Sequence, residues 1–519
     1  MNKKRHTRLS ESNAILRLSI DHQSGVARYR QLLEQFKGLF SGQYLQEGDK
    51  LPSSRELASM LGLSRSTTIK VYDILISEGY LVSQPKKGLY VAHMAALLPG
   101  ELELTKSPPH KLEKTKKLVM DDPIQLGSGI DVSAFPHKAW AASMRRSWLN
   151  PDIGVIQGEY HNGLPRLKEY LADYLANVRG LECDQEQIII TSGNRDALSI
   201  MSHVLLSDYQ DETRVWLENP CFPAMSRFFH WLGRDLKPLP VDQEGAATPK
   251  LTPAKPNHLH LALITPNRQY PLGMAMSSLR RQEWLALLSQ INHNSALGPQ
   301  TKDAGLWVIE DDYDNEFYYQ GRLGVPLMNL DESQRTFLLG SFSKIMFRGL
   351  RLGYIVAPKA HIERIKKSQR QLGPSASLPM QSALLDFMEH GHFNAHLRRM
   401  RRLYRDKRDY LDVKVAHYLG QYCDWQKPNG GMHTLVYLKE KWIQKWSALE
   451  QNKPACLDQA LMESLLEKGM HISALSPYHF EKSNIKQGFV LGFTEPSKTD
   501  IDILLAAAEK QLSSFLQQK

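Results

Sequence analysis

The 519-residue chain reads as two units: a small N-terminal α+β module carrying a basic hairpin, and a larger α/β domain with a mostly parallel sheet and a smaller C-terminal α+β subdomain. Three observations predict this. Between Gly25 and Ala92, capped helical patterns run into a two-strand pattern. From about Asp122 onward, apolar strand-like runs alternate with helical ones, which argues for a parallel sheet covered on both faces. Two of those runs end in chemically loaded stretches, Asp311–Asp314 and Ser341–Lys344, and ligands bind at the carboxyl ends of strands in an α/β sheet. The boundaries expected are a module over 13–93, a linker over 94–121 and a domain over 122–515.

Composition narrows the class. Hydrophobic content of 42% and charged content of 23% are ordinary for a globular protein. No apolar run approaches membrane-spanning length, and the basic start MNKKRHTRLS is not followed by a hydrophobic run of signal-peptide type. Cys183, Cys221, Cys423 and Cys456 form no CxxC pair, which excludes a disulfide framework or zinc site and fits a cytoplasmic protein. The net charge of +10 is uneven: residues 1–93 hold 14 Lys and Arg against 8 Asp and Glu, a net of +6. That imbalance points to a polyanion partner.

The N-terminal pattern is specific. Val26, Tyr29, Leu33, Phe36 and Phe40 recur near helical period. After a polar turn, Ser53 with Glu56 three residues later is a capping-box signature opening SRELASML, and Gly62 suits its stop. Ser64 opens SRSTTIKVYDILISEG, whose inner face is expected to carry Ile69, Tyr72 and Ile76. Tyr80–Gln84 and Leu89–Ala92 are strand candidates joined by PKKG. Helix, helix, tight turn, helix and basic hairpin make a winged helix-turn-helix. In that geometry the second helix of the pair enters the major groove by its N-terminal residues, here Ser64, Arg65, Ser66, Thr67 and Thr68. An arginine can read guanine bidentately. Arg55 would grip phosphate, which positions without reading sequence. Lys86, Lys87 and Gly88 would form the wing tip. A small helical module with a solvated basic hairpin is the bland alternative.

Residues 94–121, interrupted by Pro99, Pro108 and Pro109, lack apolar periodicity and read as a linker. Beyond them, the strand candidates are Gln187–Thr191, Val215–Leu217, Leu259–Ile264, Trp307–Glu310 and Thr336–Leu339. After the first come Ser192, Gly193 and Asn194, a glycine turn opening a helix and so a natural phosphate seat. Phe222 follows the second and could stack on a flat ring or simply pack in the core.

The pair of loaded strand ends suits pyridoxal phosphate. A lysine forms the Schiff base, and an acidic partner keeps the pyridine nitrogen protonated. The lysine must be partly neutral to attack an aldehyde, so a desolvated site suits it. Hydroxyls and an arginine can clamp phosphate. A solvated surface lysine is the ordinary reading of any Lys344; its flanking serines, Arg351 seven residues on and the upstream acidic strand end argue against it.

The stretch GDKLPSSRELASMLGLSRSTTIKVYDILISEGYL with its PKKG wing closely resembles the GntR family of DNA-binding domains. The resemblance implies operator binding as a dimer, with Arg55, Ser64, Arg65, Ser66, Thr67 and Gly88 at DNA-contacting positions. Thr68 stands where that family more often has valine. Downstream, ENPCFP, TPNRQYPLGMAMSSLRR, VIEDDYDNEFYYQG and GSFSKIMFRGLRLGYIVAP resemble the aminotransferase-like domain of MocR-type regulators, which fuse a GntR-type winged helix to a fold-type I, pyridoxal-phosphate-dependent domain. The likeness spans roughly residues 25–515. It implies that Lys344 holds the cofactor, Asp311 pairs with the pyridine nitrogen and Tyr313 bonds the phenolic oxygen. Ser341, Ser343, Arg351 and the backbone around Asn194 and Arg195 would hold the phosphate. Phe222 would stack on the ring, and Tyr270 would lie near the phenolic oxygen. Strand alternation sends Asp312 to the opposite face from Asp311.

Three departures bear on activity. Aminotransferases of this fold anchor the substrate carboxylate with a C-terminal arginine in a motif like RLGF. This chain has VLGF with Val490 there, and no arginine follows Arg408. His433, or an arginine from a partner subunit, would have to substitute. Asn194–Arg195 replaces a common glutamine, and a surface insertion runs from about His293 to Asp303. The basic stretch HLRRMRRLYRDKRDYL suits a solvated helix flank better than a DNA-facing surface. The function implied is a cofactor-sensing transcription regulator: an amine, amino acid or vitamin effector would alter operator binding by a domain-swapped homodimer. An active aminotransferase with an accessory DNA-binding domain is the alternative, and a cofactor-free dimerisation scaffold is a third.

Overall fold

The computed structural model describes residues 15–517 except 16, 22–23, 43, 85–86, 93–123, 207–212, 252–258, 295–304, 322–323, 374–375 and 449–455. Lys86, the 94–121 linker and nearly all of the insertion lie outside the described residues. The chain divides into two units, Met1–Leu118 and Val119–Lys519.

In the first unit, α1 (Arg28–Ser41) buries Leu32, Phe36, Leu39 and Phe40 and leaves Val26, just before it, exposed. A two-residue strand follows, β1 (Lys50–Leu51). α2 (Ser54–Leu61) opens with the expected capping box: Ser53 N–H donates to Glu56 Oε2 at 2.7 Å, and Glu56 N–H to Ser53 Oγ at 3.3 Å. It stops at Gly62 in the left-handed region, φ +62, where a side chain would be strained. α3 (Arg65–Ser77) is capped by Ser64, whose Oγ accepts from Thr67 N–H at 3.2 Å. β2 (Leu81–Gln84) and β3 (Gly88–Val91) form the antiparallel wing, and β1 pairs with β3 as a third strand. The polar turn read from sequence hides β1, which is too short to show a period.

The inner face of α3 corrects the sequence expectation. Ile69 and Ile76 are exposed, and the buried stripe is Thr68, Val71, Tyr72 and Leu75. These follow the i, i+3, i+4, i+7 spacing of one helix face. Tyr72 sets the phase, with its ring edge-on to Phe36 at 6.0 Å and its hydroxyl donating to Pro52 O at 2.9 Å.

The second unit is built on an eight-stranded sheet. Its strands are β5 (Ile188–Thr191), β6 (Thr213–Asn219), β7 (Asp235–Asp242), β8 (Gly245–Ala246), β9 (Leu259–Ile264), β10 (Gly305–Asp312), β11 (Thr336–Ser341) and β12 (Gly353–Val356), in the order β5-β12-β11-β10-β9-β6-β7-β8. The five central strands from β11 to β7 are parallel; β12 and β8 run antiparallel to their neighbours. Both faces are covered. Ile189, Ile309 and Phe337 pack with Leu198, Met201 and Ile365 of the helices Asn194–Leu206 and Ile362–Leu372. Ile188, Ile190 and Leu338 pack on the opposite side with Leu167 and Leu171 of the helix Pro165–Tyr174. Burying alternate residues on two faces explains why these strands read as continuous apolar runs.

Three sheet strands escaped the sequence reading, the two-residue β8 among them. β7 carries Pro238 and Pro240, which read as loop, yet β8 pairs only with Val241 and Asp242, so along its prolines β7 is the sheet edge, where missing N–H donors are tolerated. β12 is only four residues, all buried, so no alternation marks it.

The C-terminal subdomain holds β13 (Cys423–Trp425), β14 (His433–Leu438), β16 (Ser473–Ala474) and β17 (Gly488–Gly492) in an antiparallel sheet ordered β13-β14-β17-β16. β4 (Ile124–Gln125) pairs in parallel with β15 (Met470–His471). The loop after β4 is held to β17 by Gly492 N–H donating to Leu126 O at 2.9 Å. The basic stretch lies on the helix His392–Leu419. It buries Leu397, Met400 and Tyr404 and exposes Arg398, Arg399, Arg402 and Arg405, so it is a core helix with a solvated flank. Among the described residues, no helix is long and apolar enough to cross a membrane.

Candidate cofactor pocket and DNA-facing helix

A cavity of about 510 Å³ opens at the carboxyl ends of the parallel strands. β10 brings Asp311 to its wall, and the turn after β10 adds Tyr313. β11 delivers Ser341, with Ser343 and Lys344 just beyond. The helix starting at Asn194 presents its N-terminus, and Phe222 and Tyr270 come from the loops after β6 and β9. Residues separated by more than a hundred positions meet here because parallel strands end on one side.

Asp311 Oδ1 accepts a hydrogen bond from Asn194 Nδ2 at 2.8 Å. Burial, then the neighbouring carboxylates Asp312 and Glu218, push its pKa up to about 7, and the Asn194 bond opposes them. Asp312 points away, ion-paired with the buried Arg179. Asp314 pairs with Arg268 at 3.4 Å. Of the carboxylates Asp311, Asp312 and Asp314, Asp311 is therefore the one left facing the cavity.

Lys344 Nζ donates to Ser128 O at 2.7 Å and approaches Ser128 Oγ at 3.2 Å. Burial, then the charge of Arg348, lowers its pKa to about 8, against the pull of Asp314 and Glu495. At that value a useful fraction of the amine is neutral near physiological pH. Tyr270 packs edge-on to Tyr313 and to Phe222, both at 5.7 Å, and its hydroxyl meets that of Tyr478 at 3.3 Å. Phe222 is 46% exposed and turns toward the cavity, which decides against plain core packing.

Two of the residues expected around a phosphate are not in the wall. Arg195 and Arg351 do not line the cavity, and Arg351 is exposed with φ +52. Arg348, four residues after Lys344, lines it instead. Asn194 contributes its side chain to Asp311, not only its backbone. Sequence reasoning also missed Gln125, Ser128, Glu218, His471, Ser473 and Glu495 in the wall. Ser128 and Lys344 lie 216 positions apart. The only local signal was the Gly-Ser-Gly run, which marks a close backbone approach.

The carboxylate clamp is absent where it was sought. Val490 is buried in β17 beside Leu272, Leu435 and Leu475. His433 donates from Nε2 to Pro271 O at 2.8 Å, and burial lowers its pKa to about 4, so it is neutral. Arg408 is held by Asp409 and Pro428 O.

The donor set fits pyridoxal phosphate. Among the described residues, the buried Tyr313 hydroxyl and Asn194 Oδ1 have no hydrogen-bond partner, and an unmet buried polar group costs about 1–3 kcal/mol. A flat polar group in this cavity would meet both. No group of acidic, histidine and cysteine side chains suited to a metal occurs among the described residues.

On the small unit, Arg55, Ser64, Arg65 and Ser66 are exposed at the start of α2 and α3, Thr67 is half-buried, and Lys87 and Gly88 are exposed on the wing. Thr68 departs from expectation. It is fully buried, with its hydroxyl donating to Ser54 O at 2.8 Å and lying 2.9 Å from Arg65 O. It ties α3 to α2 and does not face outward.

The fold and cavity define a winged-helix module joined to an aminotransferase-like domain. Residues 28–91 match the bacterial regulatory proteins of the gntR family, and residues 151–490 match aminotransferase class I and II. The probable rhizopine catabolism regulatory protein MocR of Rhizobium meliloti is 30% identical over 487 residues, covering 92% of each chain. The HTH-type pyridoxine biosynthesis transcriptional regulator PdxR of Corynebacterium glutamicum is 31% identical, covering 93% of this chain and 95% of that one. Among solved structures, a Pyrococcus horikoshii kynurenine aminotransferase superposes with a TM-score of 0.64 at 22% identity, over 78% of this chain and 95% of that one. An archaeal alanine:glyoxylate aminotransferase gives 0.62 at 24%, over 76% and 91%. The chain belongs to the MocR-type, HTH-type transcriptional regulators: a DNA-binding regulator with an aminotransferase-like domain, for which pyridoxal 5'-phosphate is the expected cofactor.

Proposed function

We propose that this protein is a cytoplasmic, homodimeric regulator that holds pyridoxal phosphate on Lys344 and changes its action at a DNA operator when an amine effector enters the cavity. The observation that carries this is the pairing of a depressed lysine with a polar set that lacks partners. Lys344 stands near pKa 8 in the same wall as the Asn194–Asp311 pair and the unbonded Tyr313 hydroxyl. The cofactor, when bound, supplies an electrophilic carbon and an electron-withdrawing ring.

The chain's own residues would do the rest. Lys344 supplies the attacking nitrogen, oriented by Ser128. Asp311, braced by Asn194, holds a proton at the ring nitrogen. Tyr313 and Tyr270 bind the phenolic oxygen side, and Phe222 covers one ring face. Ser341, Ser343, the N-terminus of the helix opening at Asn194, and Arg348 would hold the phosphate. The buried Val490 supports sensing over turnover, because no arginine stands at that position of β17 to fix a substrate carboxylate. The domain boundaries proposed are 13–93, 94–121 and 122–515, with the linker permitting a domain-swapped dimer. For the effector to regulate, it must bind the two states of the dimer unequally.

The test is the near-ultraviolet and visible spectrum of the purified full-length protein with a panel of amines. A yellow band removed by borohydride, with the label left on Lys344, is expected. A Lys344→Ala protein that keeps the covalent band would overturn the assignment. Steady conversion of an amino acid with an oxo-acid acceptor would favour the enzyme.

A further inference from the structure

We propose that Glu495 is a recognition site for a second ammonium group, so that the effector is a short diamine and not an α-amino acid. This deepens the preceding reading and rests on it.

Glu495 lines the cavity with its carboxylate fixed in place. Oε1 accepts from Gln125 Nε2 at 2.9 Å, and Oε2 from Gly129 N–H at 3.2 Å. Room for it is made by two missing side chains. A Cβ on Gly127 would lie 2.2 Å from Oε2, and one on Gly129 would lie 2.5 Å from it. Neither glycine has positive φ, so the backbone does not need glycine at these positions; the carboxylate does.

Between these glycines stands Ser128, whose carbonyl and hydroxyl hold Lys344 Nζ. The run Gly127–Ser128–Gly129 thus sets the aldehyde-reacting nitrogen of Lys344 and a carboxylate one residue apart, and neighbouring Cα atoms are about 3.8 Å apart. An amine that takes the place of Lys344 on the cofactor's aldehyde carbon, releasing the lysine amine, would set its own nitrogen beside Ser128 with its other end within reach of Glu495.

The chemistry of that end is cationic. A carboxylate offers about four acceptor sites, and two hydrogen bonds to Glu495 occur among the described residues. No lysine or arginine among them forms an ion pair with it. His471, also in this wall, is held toward neutrality by burial. The cations of the cavity, Lys344 and Arg348, belong to the stretch assigned to the cofactor. A substrate carboxylate would meet the Glu495 carboxylate and be repelled, whereas an ammonium would gain charge-assisted hydrogen bonds.

The test compares three ligands of matched length on cofactor-loaded, full-length protein: butylamine, 1,4-diaminobutane and 4-aminobutanoate. Binding is followed by the visible spectrum and by calorimetry. The diamine should bind at least about tenfold tighter than butylamine, and 4-aminobutanoate more weakly than either. Glu495→Gln, which keeps the side-chain shape, should abolish the diamine advantage while leaving butylamine binding in place. Equal affinity for diamine and monoamine in the unaltered protein would overturn the proposal, whether or not the variant folds. So would a diamine advantage that survives Glu495→Gln. A protein with no cofactor band would instead strike the underlying reading, and this proposal with it.

Discussion

Replacing Asn194 by alanine tests whether Asp311 is kept ionised by its neighbour. The 2.8 Å bond from Asn194 Nδ2 opposes burial and nearby carboxylates, which together bring Asp311 to about 7. A hydrogen bond to a charged group contributes about 1.5–3 kcal/mol, and one pKa unit is about 1.4 kcal/mol, so its loss raises Asp311 by about one to two units. The sign follows from the charge: removing a donor disfavours the carboxylate, the pKa rises, and the ionised fraction at fixed pH falls. At pH 7.5 a carboxyl at about 7 is about three-quarters ionised, one at about 8 about a quarter, and one at about 9 about 3%. The variant should therefore bind pyridoxal phosphate about 3- to 25-fold more weakly at pH 7.5, with the gap widening in acid and closing in alkali. Equilibrium dialysis of both full-length proteins across pH 6.5–10 measures the ratio, in which the shared titration of Lys344 cancels. A ratio near one at pH 7.5, or one that does not shrink with rising pH, would refute the reasoning.

Three other outcomes are expected. Arg65→Ala should weaken specific operator binding by about 1–3 kcal/mol if Arg65 reads a base; an equal loss on random DNA, seen by gel shift or anisotropy, would make it a phosphate contact. Thr68→Val should lower the stability of the small unit by about 0.5–1.5 kcal/mol by removing the hydrogen bond that ties α3 to α2, with operator preference unchanged; altered base preference in a binding-site selection would return Thr68 to the DNA face. Arg179→Met should destabilise the large unit by about 3–5 kcal/mol, because it leaves Asp312 buried without its partner; calorimetry showing an unchanged melting transition would contradict that.

Local signals in the sequence determined much of this protein. The Ser53–Glu56 capping box, Gly62 and Ser64 wrote α2 and α3 in short-range hydrogen bonds, and those residues behave as their chemistry dictates. Continuous apolar runs announced β5, β9, β10 and β11, because a strand buried on both faces has no polar side. The chemistry at the ends of β10 and β11 was legible too, since Asp311 and Lys344 sit within recognisable stretches.

Tertiary structure decided what depends on distant segments. The phase of α3 hung on which side meets Phe36, and a helix with apolar residues at 69, 71, 72, 75 and 76 offers more than one face. β12 and the two-proline β7 exist because neighbours supply their pairing. The placing of Ser128 on Lys344 and of Asn194 on Asp311, and the carboxylate of Glu495 against two glycines more than 360 positions away, follow from how strand ends converge. Sequence carries the polar groups of the cavity; their orientation and ionisation come from burial and from partners that only the folded chain brings within hydrogen-bonding reach.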